Sequence, residues 1–384
     1  MVEQRIKILH IIKSLGRGGA EMLLPETLKL HNKDKFEFHY IYFLPWKNQM
    51  VNTIVENGGE VTCFNASNNI QIILKANQVL KYIKTNNIEL VHCHLPWAGI
   101  LGRIIYKLSS VPVLYTEHNK QERYHRITFM LNKLTFNWQS KVLAVSHDVE
   151  ESIIKNIKPI VAVRTVLNGV NTGYFKRADS KTERSVFNTF TKQSINIPKG
   201  AMVIGTIAVF RFQKRLKKWL QVFAETAKNN PDLYGIMVGA GPMEAELIEE
   251  RKQLGLEERV LMSGLQTNTK EWYAVMDVFM MTSEFEGLPI ALLEAMSMAC
   301  AIVSTDAGGV KEVLEHEKSG LIVPVDNWQN LTQCLNRVLD EPLRKKIASG
   351  ARERVVNAFS MERMVEELEY IYMDQISTKH HLNN

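Results

Sequence analysis

The chain has 384 residues, of which 45% are hydrophobic and 23% are charged, as is usual for a globular protein with a full hydrophobic core. This length predicts about two domains. The 47 Lys and Arg residues exceed the 41 Asp and Glu residues by a formal charge of only +6. Such an excess suits an acidic substrate or an anionic membrane surface, and it is too small to favour nucleic acid as a partner.

Targeting and redox features predict a cytoplasmic location. The longest apolar runs are as short as a strand, for example Val278–Met281, whereas a transmembrane helix needs about 18 apolar residues. The first residues lead into a strand-like segment without the apolar stretch of a signal peptide. The cysteines follow no pairing pattern, which predicts reduced thiols at Cys63, Cys93, Cys300 and Cys334.

Short β-branched segments alternate with amphipathic segments along the first half. The predicted strands are Ile6–Ile12, Phe36–Phe43, Val61–Phe64, Leu90–His94, Val111–Thr116, Val142–Val145 and Ile160–Val166. The predicted helices are Glu21–Leu30, Ile70–Asn86, Ala98–Leu108, Ile127–Phe136 and Val149–Ile157. This alternation predicts right-handed crossovers and a parallel sheet that is covered on both faces.

A polar stretch from Thr172 to Gly200 interrupts the pattern, and we place a domain boundary in it, at residue 180. Beyond it, the predicted strands are Met202–Val209, Tyr234–Val238, Val260–Met262, Val278–Met281, Ala301–Ser304 and Leu321–Val323. The predicted helices are Trp219–Lys228, Glu244–Leu254, Glu271–Val275, Pro289–Met298, Leu331–Leu339, Leu343–Asn357 and Met361–Ile376. The sequence thus predicts an α/β protein with two doubly wound domains, 1–180 and 181–360, and a last helix that no strand follows.

The strongest chemical signal is the segment Ser283–Pro289, between a predicted strand and a predicted helix. Pro289 suits the first helical position. Glu286 and Glu294 would present one carboxylate from the loop and one from the helix, as a polyhydroxylated ligand requires. The spacing alone fits equally well an alternative without a ligand, in which one Glu is an ordinary surface residue and the helical Glu pairs with a basic residue nearby. Backbone N–H groups that could donate to hydroxyl or phosphate oxygens belong to Gly287, Leu288 and Ile290.

Glu286 and Glu294 resemble the E-x7-E motif of the retaining glycosyltransferase family 4, whose members have the GT-B fold. Further segments resemble the family in order along nearly the whole chain: Gly16–Glu21, Val91–His94, Tyr115–Asn119, Asn168–Val170 with Phe175, Val238–Pro242, Gly264, and Thr305–Gly309 with Glu312. The resemblance implies two Rossmann-like parallel-sheet domains facing a cleft, with the nucleotide on the second and the acceptor on the first. It also implies that a C-terminal helix over 361–377 packs back on the first domain.

The resemblance further implies roles for single residues. Glu294 would accept from ribose hydroxyls and Glu286 from sugar hydroxyls, while Arg211 and Lys214 would hold the diphosphate. The family's lysine stands five residues after its arginine, so the shorter spacing here leaves Lys217 open as an alternative to Lys214. The residue His118 would lie beside the reacting sugar, with a purely structural histidine as the alternative. The other donor-binding positions are Gly18, Gly19, Gly264, Leu265, Gly287, Leu288, Pro289 and Ile290.

Two alanines depart from the family pattern after the helix that carries Glu294. Ala299 and Ala301 stand where the family has a glycine and a proline. Both are small, so we expect the turn into the next strand, and the activity, to be retained.

We expect no metal and no other cofactor. His92 and His94 flank Cys93 on one strand without a further ligand pair nearby, which disfavours zinc. The chain also lacks the Asp-x-Asp pattern of the metal-dependent GT-A transferases. Arg and Lys donors can stabilise the growing negative charge of a leaving diphosphate without a metal ion.

The expected protein is a cytoplasmic, metal-independent hexosyl- or N-acetylhexosaminyltransferase in cell-surface glycan or glycolipid synthesis. Its substrates would be a nucleotide-sugar donor, preferably a UDP-sugar, and a glycan, lipid-linked or small-molecule acceptor. The basic and aromatic segment Lys120–Lys141 suits peripheral contact with the inner face of the membrane, with a helix packed on its own sheet as the alternative. The rival functions are a GT-B nucleotide-sugar epimerase or hydrolase and a non-catalytic nucleotide-sugar-binding subunit.

Overall fold

The computed structural model describes residues 5–177, 197–198 and 200–383, with side chains up to residue 378. The chain divides into two compact units. The first unit comprises Met1–Asn168 and Met361–Asn384, and the second comprises Gly169–Ser360. Most of the polar stretch in which we place the boundary, residues 178–196, lies outside the described residues.

The first unit is built on a seven-stranded parallel sheet with the order β3-β2-β1-β4-β5-β6-β7. Its strands are β1 (Ile6–Ile12), β2 (Phe36–Tyr42), β3 (Glu60–Cys63), β4 (Leu90–His94), β5 (Val113–Glu117), β6 (Lys141–Ala144) and β7 (Val163–Thr165). Its helices are α1 (Gly19–Leu30), α2 (Val51–Glu56), α3 (Asn69–Leu74), α4 (Ala76–Asn86), α5 (Pro96–Leu108), α6 (Arg126–Thr135) and α7 (His147–Ile157). The strand order reverses between β1 and β4, and the carboxyl ends of strands at such a point are where doubly wound sheets bind ligands.

The second unit repeats this plan with a six-stranded parallel sheet in the order β10-β9-β8-β11-β12-β13. Its strands are β8 (Met202–Ile207), β9 (Leu233–Val238), β10 (Val260–Met262), β11 (Val278–Met281), β12 (Ala301–Thr305) and β13 (Leu321–Val323). Its helices are α8 (Leu216–Ala227), α9 (Glu244–Gln253), α10 (Lys270–Val275), α11 (Ile290–Ser297), α12 (Val310–Val313), α13 (Leu331–Val338) and α14 (Glu341–Ala358). Here the order reverses between β8 and β11.

The central strands are almost entirely buried because helices cover both faces of each sheet. In β11, for example, all four residues of Val278–Met281 are buried. Among the described residues, every helix is too short or too polar to qualify as a membrane span.

The last helix, α15 (Met361–Asn383), belongs to the first unit. Its Ile371 and Tyr372 side chains are fully buried. Tyr372 Oη lies 2.9 Å from His92 Nδ1, and Lys141 Nζ donates to Asp374 Oδ2 over 2.7 Å. Apolar packing and polar bonds therefore join α15 to β4 and β6.

The predicted strands are confirmed, with small shifts at some ends. The helix predicted over Ile70–Asn86 is instead two helices, α3 and α4, which meet at Lys75. The structure adds α2 and α12, which are six and four residues long. Helices this short show little of the helical period, although α10, which is as short as α2, was predicted.

Candidate active site

Lys214 and Glu286 form the centre of the candidate site in the second unit. Lys214 Nζ donates to Glu286 Oε1 over 2.5 Å, and Ser283 Oγ donates to the same oxygen over 2.6 Å. The side chains of Lys214 and Glu286 are 23% and 10% exposed, so both are accessible to a ligand. Lys217 lies elsewhere, since its Nζ pairs with Glu246 Oε2 at 2.9 Å. The structure thus brings Lys214, and not Lys217, to the carboxylate of Glu286.

The loops that carry Lys214 and Glu286 are tied together. Arg215 has a left-handed backbone with φ 49°, and its Nε donates to Glu284 Oε2 over 3.1 Å. Thr282 Oγ1 donates to the Lys214 carbonyl over 2.9 Å. These bonds hold the lysine-bearing loop against the carboxylate although that loop is short.

Arg211 precedes this loop at the surface. Its backbone is extended, and its exposed side chain forms no hydrogen bond or ion pair with another described residue. Lys218 Nζ lies 4.7 Å from the centroid of the Trp328 ring. Arg211 is thus accessible to an anionic ligand, whereas Lys217 and Lys218 already contact other side chains of the second unit.

Helix α11 starts immediately after Glu286. Pro289 is its N-cap, with φ −75° and ψ 114°, and Ile290 is the first helical residue, one position later than predicted. In the described part of the chain, the N–H groups of Gly287 and Ile290 donate to no acceptor. Two backbone donors beside Glu286 are therefore accessible to ligand oxygens. The side chain of Leu288, which lies between them in the sequence, is buried.

Glu294 lies one helical turn into α11 and is buried. Tyr273 Oη donates to Glu294 Oε2 over 2.8 Å. Burial and the negative charge of Glu294 raise the pKa of Tyr273, so the phenol remains a donor. No sequence motif indicated Tyr273, because 21 positions separate it from Glu294 and only the fold brings the two together.

Gly264 and Leu265 follow β10 at the same sheet edge. The Gly239 N–H donates to the Gly264 carbonyl over 2.9 Å. Gly239 has φ 135°, and a Cβ there would lie 1.9 Å from the Ala208 carbonyl oxygen, so no other residue fits. Gly264 has φ 68°, and Leu265 is exposed. The loops after β8, β10 and β11, with helix α11 that follows the last of them, thus carry all the predicted positions of the second unit.

His118 follows β5 at the carboxyl edge of the first sheet. The buried Glu117 carboxylate accepts from the N–H of His118 over 3.0 Å and from the N–H of Asn119 over 3.2 Å. It also accepts from Tyr115 Oη and Gln121 Nε2 over 2.8 and 2.6 Å. Burial raises the pKa of Glu117. Glu117, to which the sequence assigned no role of its own, therefore holds the backbone of His118 in place.

Three histidines are joined in series in the first unit. His10 Nδ1 lies 2.9 Å from His94 Nε2, and His94 Nδ1 lies 3.4 Å from His118 Nε2. Their rings and that of His92 line a cavity whose other walls are mostly apolar. Burial lowers the pKa of His118 to about 4 and that of His92 to about 3, so both are neutral near pH 7.

Two groups of described residues have ligand atoms within 4.8 Å of one another and could hold a metal: His10, His92 and His94, and Glu37, His39 and Glu60. In the first group, the nitrogen that lacks a hydrogen-bond partner among the described residues is His10 Nε2. The other ring nitrogens bond to a second histidine or to a hydroxyl group. A metal would have to displace these bonds, and the expectation of a metal-free enzyme stays a prediction.

The glycine loop ends where α1 begins, at Gly19, with Gly18 as its N-cap. Ser14 Oγ donates to Glu21 Oε1 over 3.0 Å. A Cβ on Gly18 would lie 2.2 Å from Glu21 Oε2, so the carboxylate folds over this glycine. An anionic ligand at Gly18 and Gly19 would therefore require Glu21 to turn away.

Two family models match the chain. Glycosyltransferase Family 4 covers residues 17–174, and Glycosyl transferases group 1 covers residues 187–354. The first range includes His118, and the second includes Lys214, Glu286 and Glu294.

Curated and solved proteins agree with this assignment. The chain is 31% identical to N-acetyl-alpha-D-glucosaminyl L-malate synthase of Bacillus anthracis over 61% of this chain and 59% of that protein. It is 22% identical to UDP-Gal:alpha-D-GlcNAc-diphosphoundecaprenol alpha-1,3-galactosyltransferase of Escherichia coli over 98% of both chains. Among solved structures, Anabaena HepE in complex with UDP and glucose has the same fold, with a TM-score of 0.83 over 96% of this chain and 100% of that chain at 19% identity. The chain therefore belongs to the family-4 glycosyltransferases and has their GT-B fold.

Proposed function

We propose that this glycosyltransferase moves a hexosyl or N-acetylhexosaminyl group from a UDP-sugar to its acceptor with retention of configuration. The Lys214–Glu286 pair carries the proposal. It places a cation that can bind a diphosphate next to a carboxylate that can bind sugar hydroxyls. The preference for UDP is supported by the E. coli relative, whose name specifies UDP-Gal, and by the Anabaena structure, which holds UDP.

In this proposal the second unit binds the donor. Lys214 and Arg211 would hold the diphosphate and stabilise the charge that develops as it leaves. The N–H groups of Gly287 and Ile290 would donate to oxygens of the same ligand, and buried Glu294 would accept from the ribose hydroxyls. These groups are protein donors and acceptors, so the transfer would need no metal.

The first unit would contribute His118 beside the reacting sugar. Because burial keeps the pKa of His118 at about 4, the ring would act as a neutral hydrogen-bonding group near pH 7. The leaving phosphate, rather than His118, would then accept the proton of the acceptor hydroxyl. The Gly18 and Gly19 amides would assist the diphosphate once Glu21 has turned away.

A lipid-linked acceptor on the cytoplasmic face of a membrane is the acceptor class that we favour. The E. coli relative, which aligns with nearly the whole chain, is named for a diphosphoundecaprenol-linked sugar. The B. anthracis relative is named for malate, so a small-molecule acceptor is the second candidate.

The test is transfer from radiolabelled UDP-glucose, UDP-galactose and UDP-N-acetylglucosamine to diphosphoundecaprenol-linked N-acetylglucosamine or to malate, with and without EDTA. We expect label in the lipid fraction, with EDTA causing no loss. Label released or epimerised without an acceptor would support the rival hydrolase or epimerase. Binding of a donor without turnover for any acceptor would support a non-catalytic subunit. EDTA inhibition that a divalent cation reverses would contradict metal independence.

A further inference from the structure

The helix α6 packs on the first unit through a polar inner side. The fully buried Arg103 guanidinium donates from Nη1 to Asn132 Oδ1 over 2.6 Å and to Thr135 Oγ1 over 3.2 Å. Its Nε donates to Gln139 Oε1 over 3.0 Å, just beyond the helix. The Asn132 amide then donates to Gln121 Oε1 over 2.8 Å. A helix usually packs on its domain through an apolar face, but hydrogen bonds to a buried charge anchor this one.

Three apolar residues of α6 face outward instead. Ile127, Met130 and Leu134 are 55%, 61% and 70% exposed. Their spacing of three and four positions places them in one row along the helix surface. Within the described part of the chain, no other element covers this row, and α6 contacts α5 through its polar side.

Basic residues flank this apolar row. Arg126 and Lys133, seven positions apart, form a second row on the same exposed side of α6. Just past the helix, Trp138 is also exposed, and Lys107 Nζ lies 5.7 Å from its ring centroid. The whole stretch from residue 123 to residue 140 contains no Asp or Glu. An apolar row beside basic residues, without acidic ones, fits the interface between anionic headgroups and acyl chains.

We propose that the outer face of α6, formed by Arg126, Ile127, Met130, Lys133 and Leu134, binds an anionic membrane surface. A second copy of the chain fits this face less well, because two-fold symmetry would bring the Arg126 and Lys133 rows of both copies together. The inference goes beyond the transfer reaction and does not depend on it, since binding to lipid requires neither donor nor acceptor.

The test is co-sedimentation of the full chain with vesicles of phosphatidylethanolamine and phosphatidylglycerol, compared with vesicles of pure phosphatidylcholine. The wild type should bind the anionic vesicles and bind the neutral ones at least tenfold more weakly. The triple variant I127Q/M130Q/L134Q should lose at least tenfold in partition onto anionic vesicles. The variant R126Q/K133Q should lose roughly fivefold for each charge removed and should respond less to added salt.

Matched controls separate this surface from general effects. Ile248 and Val356 are similarly exposed apolar residues of the second unit, and I248Q/V356Q should bind vesicles like the wild type. Thermal unfolding at the wild-type temperature would show that the α6 variants remain folded. Wild-type vesicle binding by both α6 variants, or equal binding of the wild type to neutral vesicles, would overturn the proposal. So would a dimer in solution that the triple variant abolishes, if the wild type does not bind vesicles.

Discussion

The Lys214 ammonium lies 2.5 Å from the Glu286 carboxylate, and each of these partners is proposed to bind a different part of the donor. Replacing one partner leaves the other partly buried without its counter-charge. The losses of transfer activity caused by Lys214→Ala and by Glu286→Ala should therefore not add in the double variant.

Glu286→Ala should lower kcat strongly and change the affinity for UDP by less than about threefold. In the proposed role, the sugar hydroxyls would lose a charged acceptor, worth about 1.5–3 kcal/mol, whereas the diphosphate contacts would remain. Titration calorimetry with UDP and steady-state kinetics check the two parts separately. Lys217→Ala, which removes a lysine paired with Glu246, is the control and should change neither. Equal losses of affinity and turnover in Glu286→Ala would contradict the separate role of this carboxylate.

Glu294→Ala should weaken UDP binding by roughly 10- to 100-fold, because in the proposed role two ribose hydroxyls would lose a charged acceptor worth about 1.5–3 kcal/mol. Tyr273→Phe is the matched control, since it removes the donor to Glu294 and keeps the carboxylate. Tyr273→Phe should weaken UDP binding less, by about 0.5–1.5 kcal/mol. Unchanged UDP affinity in a folded Glu294→Ala protein would exclude the ribose role.

Stability should fall as the pH falls below 6.5. The pKa of His92 is about 3 and that of His118 about 4 in the folded protein, against about 6.5 in the unfolded chain. Between these values the unfolded state binds more protons, so acid lowers the free energy of unfolding by up to about 1.4 kcal/mol per pH unit for each histidine. Urea unfolding between pH 5 and 7 measures this slope.

Substitution of single histidines identifies the source of that pH dependence. His92→Gln should reduce the slope, whereas His147→Gln, at an exposed position, should leave it unchanged. An unchanged slope in His92→Gln would show that buried His92 does not cause it.

The sequence predicted the strands well because a strand buried on both faces is an uninterrupted apolar run, such as Val278–Met281. It also placed Glu286 at a strand end, where the chemistry of doubly wound sheets lies. It could not predict the partner of Glu294, since Tyr273 reaches it only through the fold. Nor could it orient α6, because helical spacing shows an apolar row but not whether that row faces inward. That depends on Arg103, which lies on another helix.

Ala299→Gly should raise the free energy of unfolding by about 0.5–1 kcal/mol. Ala299 follows α11 with φ 52°, a left-handed conformation that costs a non-glycine residue about 1–2 kcal/mol. The greater flexibility of glycine in the unfolded chain offsets part of this gain. Denaturant unfolding measures the difference, and Ala301→Gly, inside β12, is a control that should destabilise. A loss of stability in Ala299→Gly would mean that the left-handed alanine carries no strain.

Removal of residues 361–384 should unfold the first unit. The deletion exposes the cavity wall that α15 covers and removes seven buried apolar side chains: Met361, Met364, Val365, Leu368, Ile371, Tyr372 and Ile376. Each fully buried side chain contributes about 1.5–3 kcal/mol, so the sum is comparable to the whole stability of a domain. Circular dichroism and transfer activity should both show the loss.

Two smaller changes test whether the loss comes from packing of α15 rather than from shortening the chain. Removal of residues 378–384 keeps all seven of these side chains and should leave stability and activity unchanged. Tyr372→Phe keeps the ring and removes the hydroxyl next to His92 Nδ1, which should cost about 1 kcal/mol. A protein without residues 361–384 that melts and transfers sugar like the wild type would show that α15 is dispensable. The buried contacts of Ile371 and Tyr372 make the opposite result the expected one.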